Sequence, residues 1–328
     1  MMSKYKIMIA ETSITDISIE NEILSKIDAE IVMTKSTEES GLIECGKDCD
    51  GIIVDYTPIT KGLIDNLDKC KIIGRMGIGF NNVDVEAASA KKIMVANCPD
   101  YCLDEVADHT IALLLSCRRK TPLFNAAIRK GAWSERSFGP MYSLKGQTYA
   151  LYGFGNIARK VAVRAHAFGF ELAAFDPYVP DTVFAEYSVK RIESLEDLAS
   201  VADIFSVHAP LTKETRGTVN MSIFKRMKPS CTLINTSRGP LIDEGDLVTA
   251  LEQKLIAAAG LDVFGDEPLP SDSRLFAFEN AVLTPHISYY TEESDLELRR
   301  KTAEAVASAL TDGHPKLTSF INKKDFGY

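Results

Sequence analysis

The sequence has no uninterrupted apolar run near the roughly 20 residues that a bilayer-spanning helix needs, so a membrane-embedded chain is not expected. It has no CxxC pair either. Its seven cysteines, at 45, 49, 70, 98, 102, 117 and 231, are odd in number and scattered, which argues against a disulfide framework or a zinc cluster and for reduced thiols. No metal site is expected. Basic excess is missing as well: the net charge is -9, which disfavours nucleic acid and anionic membranes as partners, because binding there is driven by basic patches. There are no internal repeats or low-complexity tracts, which excludes solenoids. The opening SKYKIMIAE reads as a strand rather than a secretory signal, so a cytoplasmic protein is expected.

What is present fits a two-domain chain. At 328 residues, with 45% hydrophobic and 25% charged side chains, the chain is long for one core. Short β-branched runs alternate with amphipathic stretches. Strands are expected near Tyr5–Ala10, Gly51–Val54, Lys71–Gly74 and Ile93–Ala96, followed by a helix over Asp104–Lys120 and a loop at KGAWSERSFG. A second series opens at Gln147, with strands at 148–152, 171–175, 203–208, 232–235, 257–263 and 281–283. A helix over Thr291–Leu310 closes the chain, with Leu296, Ala303, Val306 and Leu310 on one side. This is α/β alternation, the mark of parallel sheets.

ALYGFGNIAR sits at a strand-turn-helix junction. Gly153, Gly155 and Ala158 make a GxGxxA pattern: a tight turn, a close approach of backbone N–H groups to a pyrophosphate, and a small residue for helix-on-strand packing. Asp176 follows Gly153 by 23 positions at the end of the next strand, where a carboxylate accepts hydrogen bonds from ribose hydroxyls and repels a 2′-phosphate. No lysine or arginine lies between Asp176 and Glu186, so the expected cofactor is NAD. GLIECGKD at 41–48 imitates a phosphate-binding P-loop, but Asp48 stands where the magnesium-binding hydroxyl belongs. A surface turn is expected there.

Three further segments carry chemistry: NTSRG with Arg238, DVFGDEP with Glu267 and TPHIS with His286. An arginine can hold a carboxylate through two parallel hydrogen bonds, and a histidine oriented by an acid can take or give a hydroxyl proton.

Together with GRMGIGFNNVD, CPDYCLDEVADHTIALLL, SVHAPLTKETRGTVN, INTSRGPLID and GLDVFGDEP, these segments resemble the NAD-dependent D-isomer-specific 2-hydroxyacid dehydrogenase family over nearly the whole chain. The resemblance implies two doubly wound parallel-sheet domains: a Rossmann cofactor domain, 103–290, inserted into a smaller flavodoxin-like substrate domain made of 1–102 and 291–328. It also implies roles. Arg238 holds the substrate carboxylate and polarises the 2-oxygen, His286 is the acid/base, and Glu267 orients it and raises its pKa. Gly77, Ile78 and Gly79 offer backbone N–H groups to the carboxylate, with Asp55 and Tyr289 as further substrate contacts. Asn156 and Ile157 meet the pyrophosphate, His208, Ala209 and Pro210 line the adenosine side, and Asp262 bonds the nicotinamide amide. Thr110, Thr215 and Thr236 are additional cofactor candidates, whereas His109, His166 and His314 are read as packing or surface residues.

The CPDYC-DEVADH wording and the aromatic pair Tyr289 and Tyr290 are similar to the C-terminal-binding-protein branch. That similarity implies an alternative, an NADH-responsive scaffold with a vestigial site. Within the family, glutamate at 267 disfavours a formate dehydrogenase, and Asp55 in VDYTP disfavours a substrate with a distal phosphate by charge repulsion. A small 2-hydroxy or 2-keto acid is the expected substrate. A two-fold homodimer through the helix from Asp104 and the Trp133 loop is the expected assembly.

Overall fold

The computed structural model describes residues 3–11, 14–316 and 319–328. In chain order the strands are β1 (Tyr5–Ile9), β2 (Ala29–Met33), β3 (Gly51–Val54), β4 (Ile72–Arg75), β5 (Met94–Asn97), β6 (Thr148–Tyr152), β7 (Glu171–Phe175), β8 (Lys190–Arg191), β9 (Ile204–Val207), β10 (Thr232–Asn235), β11 (Ala258–Leu261), β12 (Ala281–Leu283) and β13 (Ser319–Phe320). They fall into two units, one built from Met1–Tyr101 with Thr291–Tyr328 and the other from Cys102–Tyr290. The α/β class read from the sequence is the class observed.

In the smaller unit the sheet order is β13-β5-β4-β3-β1-β2, the flavodoxin-like arrangement with one antiparallel edge strand added. β2, AEIVM, is a half-buried edge strand with one exposed glutamate, and the sequence reading passed over it. The long helix Glu292–Asp312 lies against β3 and β4. Glycine is needed on that face: a Cβ at Gly74 would sit 2.8 Å from Val306 Cγ2 and 3.0 Å from Thr302 Cγ2. The helix buries Leu298, Thr302, Ala305, Val306 and Ala309, whereas Leu296 is 44% exposed. That corrects the expected stripe: the sheet-facing row runs through Leu298, at i, i+4, i+7 spacing. Arg299 ties the helix to Ser18–Leu24 through Glu20, whose carboxylate is buried 2.6 Å away. The GLIECGKD stretch is another correction, being largely the helix Glu39–Gly46 with Leu42 in the core, not a turn.

In the larger unit seven parallel strands run β12-β11-β10-β9-β6-β7-β8, the Rossmann order. β6 pairs with both β7 and β9, so successive crossovers leave it in opposite directions and a crevice opens at the C-terminal ends of β6 and β9. The helix Leu103–Arg119 buries Val106, Ile111, Leu113, Leu114 and Cys117. At Lys120 the chain turns through a left-handed residue, φ 54°, into a second helix, Thr121–Arg129, that the sequence reading did not separate. No helix of the described residues is long and apolar enough to cross a membrane. All seven cysteines are free thiols, and six of them are buried.

Candidate active site

The dinucleotide pattern occupies the crevice. Gly153 follows β6 with φ 89°, and a Cβ there would lie 2.6 Å from the Ala209 backbone nitrogen, so only glycine lets the loops after β6 and β9 pass this closely. Gly155 faces open space, caps the helix Asn156–Ala167 and leaves the helix N-terminus, with Asn156 and Ile157, accessible to an anion. Asp176, just past β7, accepts the N–H of Phe154 through Oδ2 and of Tyr178 through Oδ1, both at 2.9 Å. Those bonds fix the carboxylate beside the glycine turn. An open helix N-terminus with an oriented acid at the neighbouring strand end fits a dinucleotide with free ribose hydroxyls.

Of the remaining cofactor candidates, His208, Ala209, Pro210, Thr215 and Thr236 lie in the loops after β9 and β10, and Thr110 lies within the helix Leu103–Arg119. His208 continues β9, its Nε2 lies 2.8 Å from Ser206 Oγ, and burial pushes its pKa down to about 3, so it is uncharged at neutral pH. Pro210 accepts the hydroxyl of Thr215 at 2.6 Å, which closes that loop. Thr110 and Thr236, both buried, meet at 2.9 Å between their hydroxyls.

Arg238, Glu267 and His286 converge at the ends of β10, β11 and β12. Asn235 shapes the first turn, its Nδ2 donating to Arg238 O at 2.9 Å and its Oδ1 accepting the N–H of Ser237 at 3.0 Å. A Cβ at Gly239 would overlap the Phe264 carbonyl at 1.9 Å, so glycine brings the two loops together. Glu267 Oε1 accepts the Phe264 N–H at 2.9 Å, and Oε2 lies 2.7 Å from His286 Nδ1. Burial pushes the Glu267 carboxyl up, but the His286 hydrogen bond and charge, the Phe264 N–H and the Arg238 guanidinium outweigh it and hold the group below the ordinary carboxylate value. Tyr289 meets the His286 ring edge-to-face, with centroids 6.4 Å apart.

His286 stands in a left-handed conformation, φ 53°. Asp262 supports it: the His286 N–H donates to the Asp262 carbonyl at 2.8 Å, while the fully buried Asp262 carboxylate accepts from Thr284 Oγ1 at 2.6 Å, Ile287 N at 3.0 Å and Ser288 N at 2.9 Å. In this structure the Asp262 oxygens are turned to that loop. His109, read from the sequence as a packing or surface residue, lies with Nε2 3.0 Å from Thr284 Oγ1 and completes the polar layer behind His286. No sequence signal marks His109, because its partner is 175 positions away.

The substrate candidates Asp55, Gly77, Ile78 and Gly79 belong to the smaller unit. Gly77, at φ 138°, follows the buried Arg75, which the sequence reading left out. Arg75 Nη2 is 3.7 Å from Asp55 Oδ1, and Asn97 donates to the Ile78 carbonyl at 2.5 Å.

Residues 111–288 match the family model described as "D-isomer specific 2-hydroxyacid dehydrogenase, NAD binding domain". The chain belongs to that family. It is 37% identical over 290 residues to D-3-phosphoglycerate dehydrogenase of Methanocaldococcus jannaschii, covering 88% of this chain and 55% of that protein. The chain thus spans about half the length of the curated relatives it matches. Among solved structures it resembles the NADPH-dependent glyoxylate/hydroxypyruvate reductase of Sinorhizobium meliloti in complex with NADP and malonate, with a TM-score of 0.87, 29% identity and 97% of each chain covered. It also resembles the D-lactate dehydrogenase of Aquifex aeolicus complexed with NAD and lactic acid, with a TM-score of 0.83, 26% identity and 95% and 99% of the two chains covered. The residues matched by the NAD-binding-domain model all lie within the larger unit.

Proposed function

We propose that the protein is an NAD-dependent oxidoreductase interconverting small 2-hydroxy and 2-keto acids. The observation that carries this reading is the 2.7 Å Glu267–His286 contact beside Arg238, inside the NAD-binding unit. The bound nicotinamide supplies or accepts the hydride at C2. In keto-acid reduction His286 gives its proton to the developing 2-oxygen, and in alcohol oxidation it takes that proton back. Glu267, ionised, holds His286 Nδ1–H and leaves Nε2 for the substrate. Arg238 binds the substrate carboxylate and steadies negative charge on the 2-oxygen as it develops. Asp55, Tyr289 and the Gly77–Gly79 turn are the further substrate residues of this reading, and residues 103–290 its cofactor domain. The complete acid/base set favours an enzyme over a scaffold with a vestigial site. Asp176 favours NAD over NADP.

His286→Ala tests the reading. NADH-dependent reduction of a 2-keto acid should fall roughly a hundredfold or more, the usual worth of a positioned acid/base, with NADH affinity retained. Undiminished turnover would overturn the assignment.

The free, mostly buried thiols suit the reducing cytoplasm. We also propose a homodimer formed by the larger unit. Its helix Leu103–Arg119 spends its apolar face inside its own unit, so the candidate surface is the next segment. The helix Thr121–Arg129 buries none of its residues, Trp133 is 89% exposed, and Leu123, Phe138, Met141 and Tyr142 line a cavity of about 1020 Å³. Apolar surface of this extent on one segment marks a protein contact.

A further inference from the structure

His286 keeps a left-handed backbone, φ 53°, which a residue with a β-carbon holds only where its surroundings enforce it. Glu267 holds the ring at Nδ1, but the backbone hangs on Asp262. Three successive N–H groups, those of His286, Ile287 and Ser288, donate to the Asp262 carbonyl, Oδ1 and Oδ2 at 2.8, 3.0 and 2.9 Å. The position of that one residue therefore decides where the imidazole stands.

Asp262 is fully buried, and a buried carboxylate is costly wherever it lacks donors. Thr284 Oγ1 donates to its Oδ1 at 2.6 Å. A hydroxyl has a single proton, so with that proton on Asp262 the 3.0 Å contact between Thr284 Oγ1 and His109 runs one way only: His109 Nε2–H donates. A hydroxyl that accepts in this manner donates more strongly in turn. His109 Nε2 is 3.6 Å from Asp262 Oδ1, beyond hydrogen-bond reach, so the link passes through Thr284. The helix Leu103–Arg119, which lies against β10, β11 and β12, delivers His109 to this point. Its next residue, Thr110, meets Thr236 after β10, so one helix anchors two of the site's loops.

We propose that His109 is a positioning residue for proton transfer: by donating through Thr284 to Asp262 it fixes the turn that carries His286, and so aligns His286 Nε2 with the substrate oxygen. The proposal rests on the reading of His286 as the acid/base. Glu267 sets which ring nitrogen faces the substrate, whereas the line from His109 sets where the ring stands. Misplacing a proton donor slows the step it serves even where the ligands still bind. Arg238 stands on a separate turn shaped by Asn235, so binding of the substrate carboxylate does not depend on His109.

The test is NADH-dependent reduction of glyoxylate, pyruvate or hydroxypyruvate, whichever the native protein reduces fastest, by His109→Leu and His109→Gln. Leucine suits the helix but has no donor. His109→Leu should lower kcat about tenfold, the worth of a hydrogen bond left unmade beside a buried charge, with both KM values within about twofold of native. The solvent deuterium isotope effect on kcat should rise, because proton transfer becomes the slower step. His109→Gln, whose amide can donate to Thr284, should recover most of the loss. Thr284→Val cuts the same line, so adding His109→Leu to it should cost nothing further. Native kcat in folded His109→Leu, a loss confined to KM, or losses that multiply in the double variant overturn the proposal. If His109→Leu does not fold, nitrogen NMR of the native protein decides: a proton on His109 Nε2 supports the proposal and its absence overturns it. Undiminished turnover in His286→Ala, or no turnover of any of the three acids by the native protein, overturns the acid/base reading and the proposal with it.

Discussion

Partial desolvation opposes ionisation of the half-exposed Glu267, yet the group meets His286, an N–H and a guanidinium, and their pull is the larger. Its carboxyl is therefore depressed below the ordinary 4.5. A group depressed in the folded state adds stability above its unfolded pKa and loses it as pH falls through the folded value. The Glu267–His286 pair should thus persist through neutral and mildly acid pH and come apart only below about 4.5. Carbon NMR of the Glu267 carboxyl should give a midpoint under 4.5, and a midpoint at or above it would contradict this balance. Asp176 makes a separate prediction. The native protein should favour NADH over NADPH in kcat/KM, and Asp176→Ala should narrow the ratio by about tenfold, the worth of a hydrogen bond to a charged group. Equal use of both cofactors by the native protein would refute the role given to Asp176.

The loops that follow β10, β11 and β12 act as one element. Gly239 lets the first pass against the Phe264 backbone, Phe264 donates to Glu267, and Asp262 braces the left-handed turn at His286. Gly239→Ala places a methyl group on a carbonyl that cannot step aside. Destabilisation of about 1–3 kcal/mol by denaturant unfolding is expected, as for other overpacked sites, together with lost turnover as Glu267 shifts. Unchanged stability would show that the loops are looser than drawn. All three motifs, around Arg238, Glu267 and His286, were legible in the sequence, since each is a local string with a fixed chemical meaning. The brace was not, because Asp262 and His109 work through partners 22 to 175 positions away.

For the whole molecule the decisive prediction concerns assembly. If the proposed interface centred on the Thr121–Arg129 helix and the Trp133 loop forms, the species in solution is a dimer, and Trp133→Ala should weaken it by at least about 2 kcal/mol with the indole as its buried anchor. Sedimentation at micromolar concentration should show a dimer for the native chain and a shift toward monomer for the variant. A native monomer would remove the proposal.

The sequence by itself determined the α/β class, the glycine turn with its acid, and the Arg238, Glu267 and His286 set, because alternating periodicity and short motifs are local and survive without knowledge of contacts. It read the helix at Glu39–Gly46 as a turn, missed β2, and put Leu296 in the core, where weak amphipathicity leaves local pattern without a clear preference. Only the tertiary structure decided that Arg75 would lie buried 3.7 Å from Asp55 and that Asp262 would turn its carboxylate to the backbone behind His286. Those outcomes follow from strand order and loop packing, which bring distant residues within a few ångströms and which no run of neighbouring residues encodes.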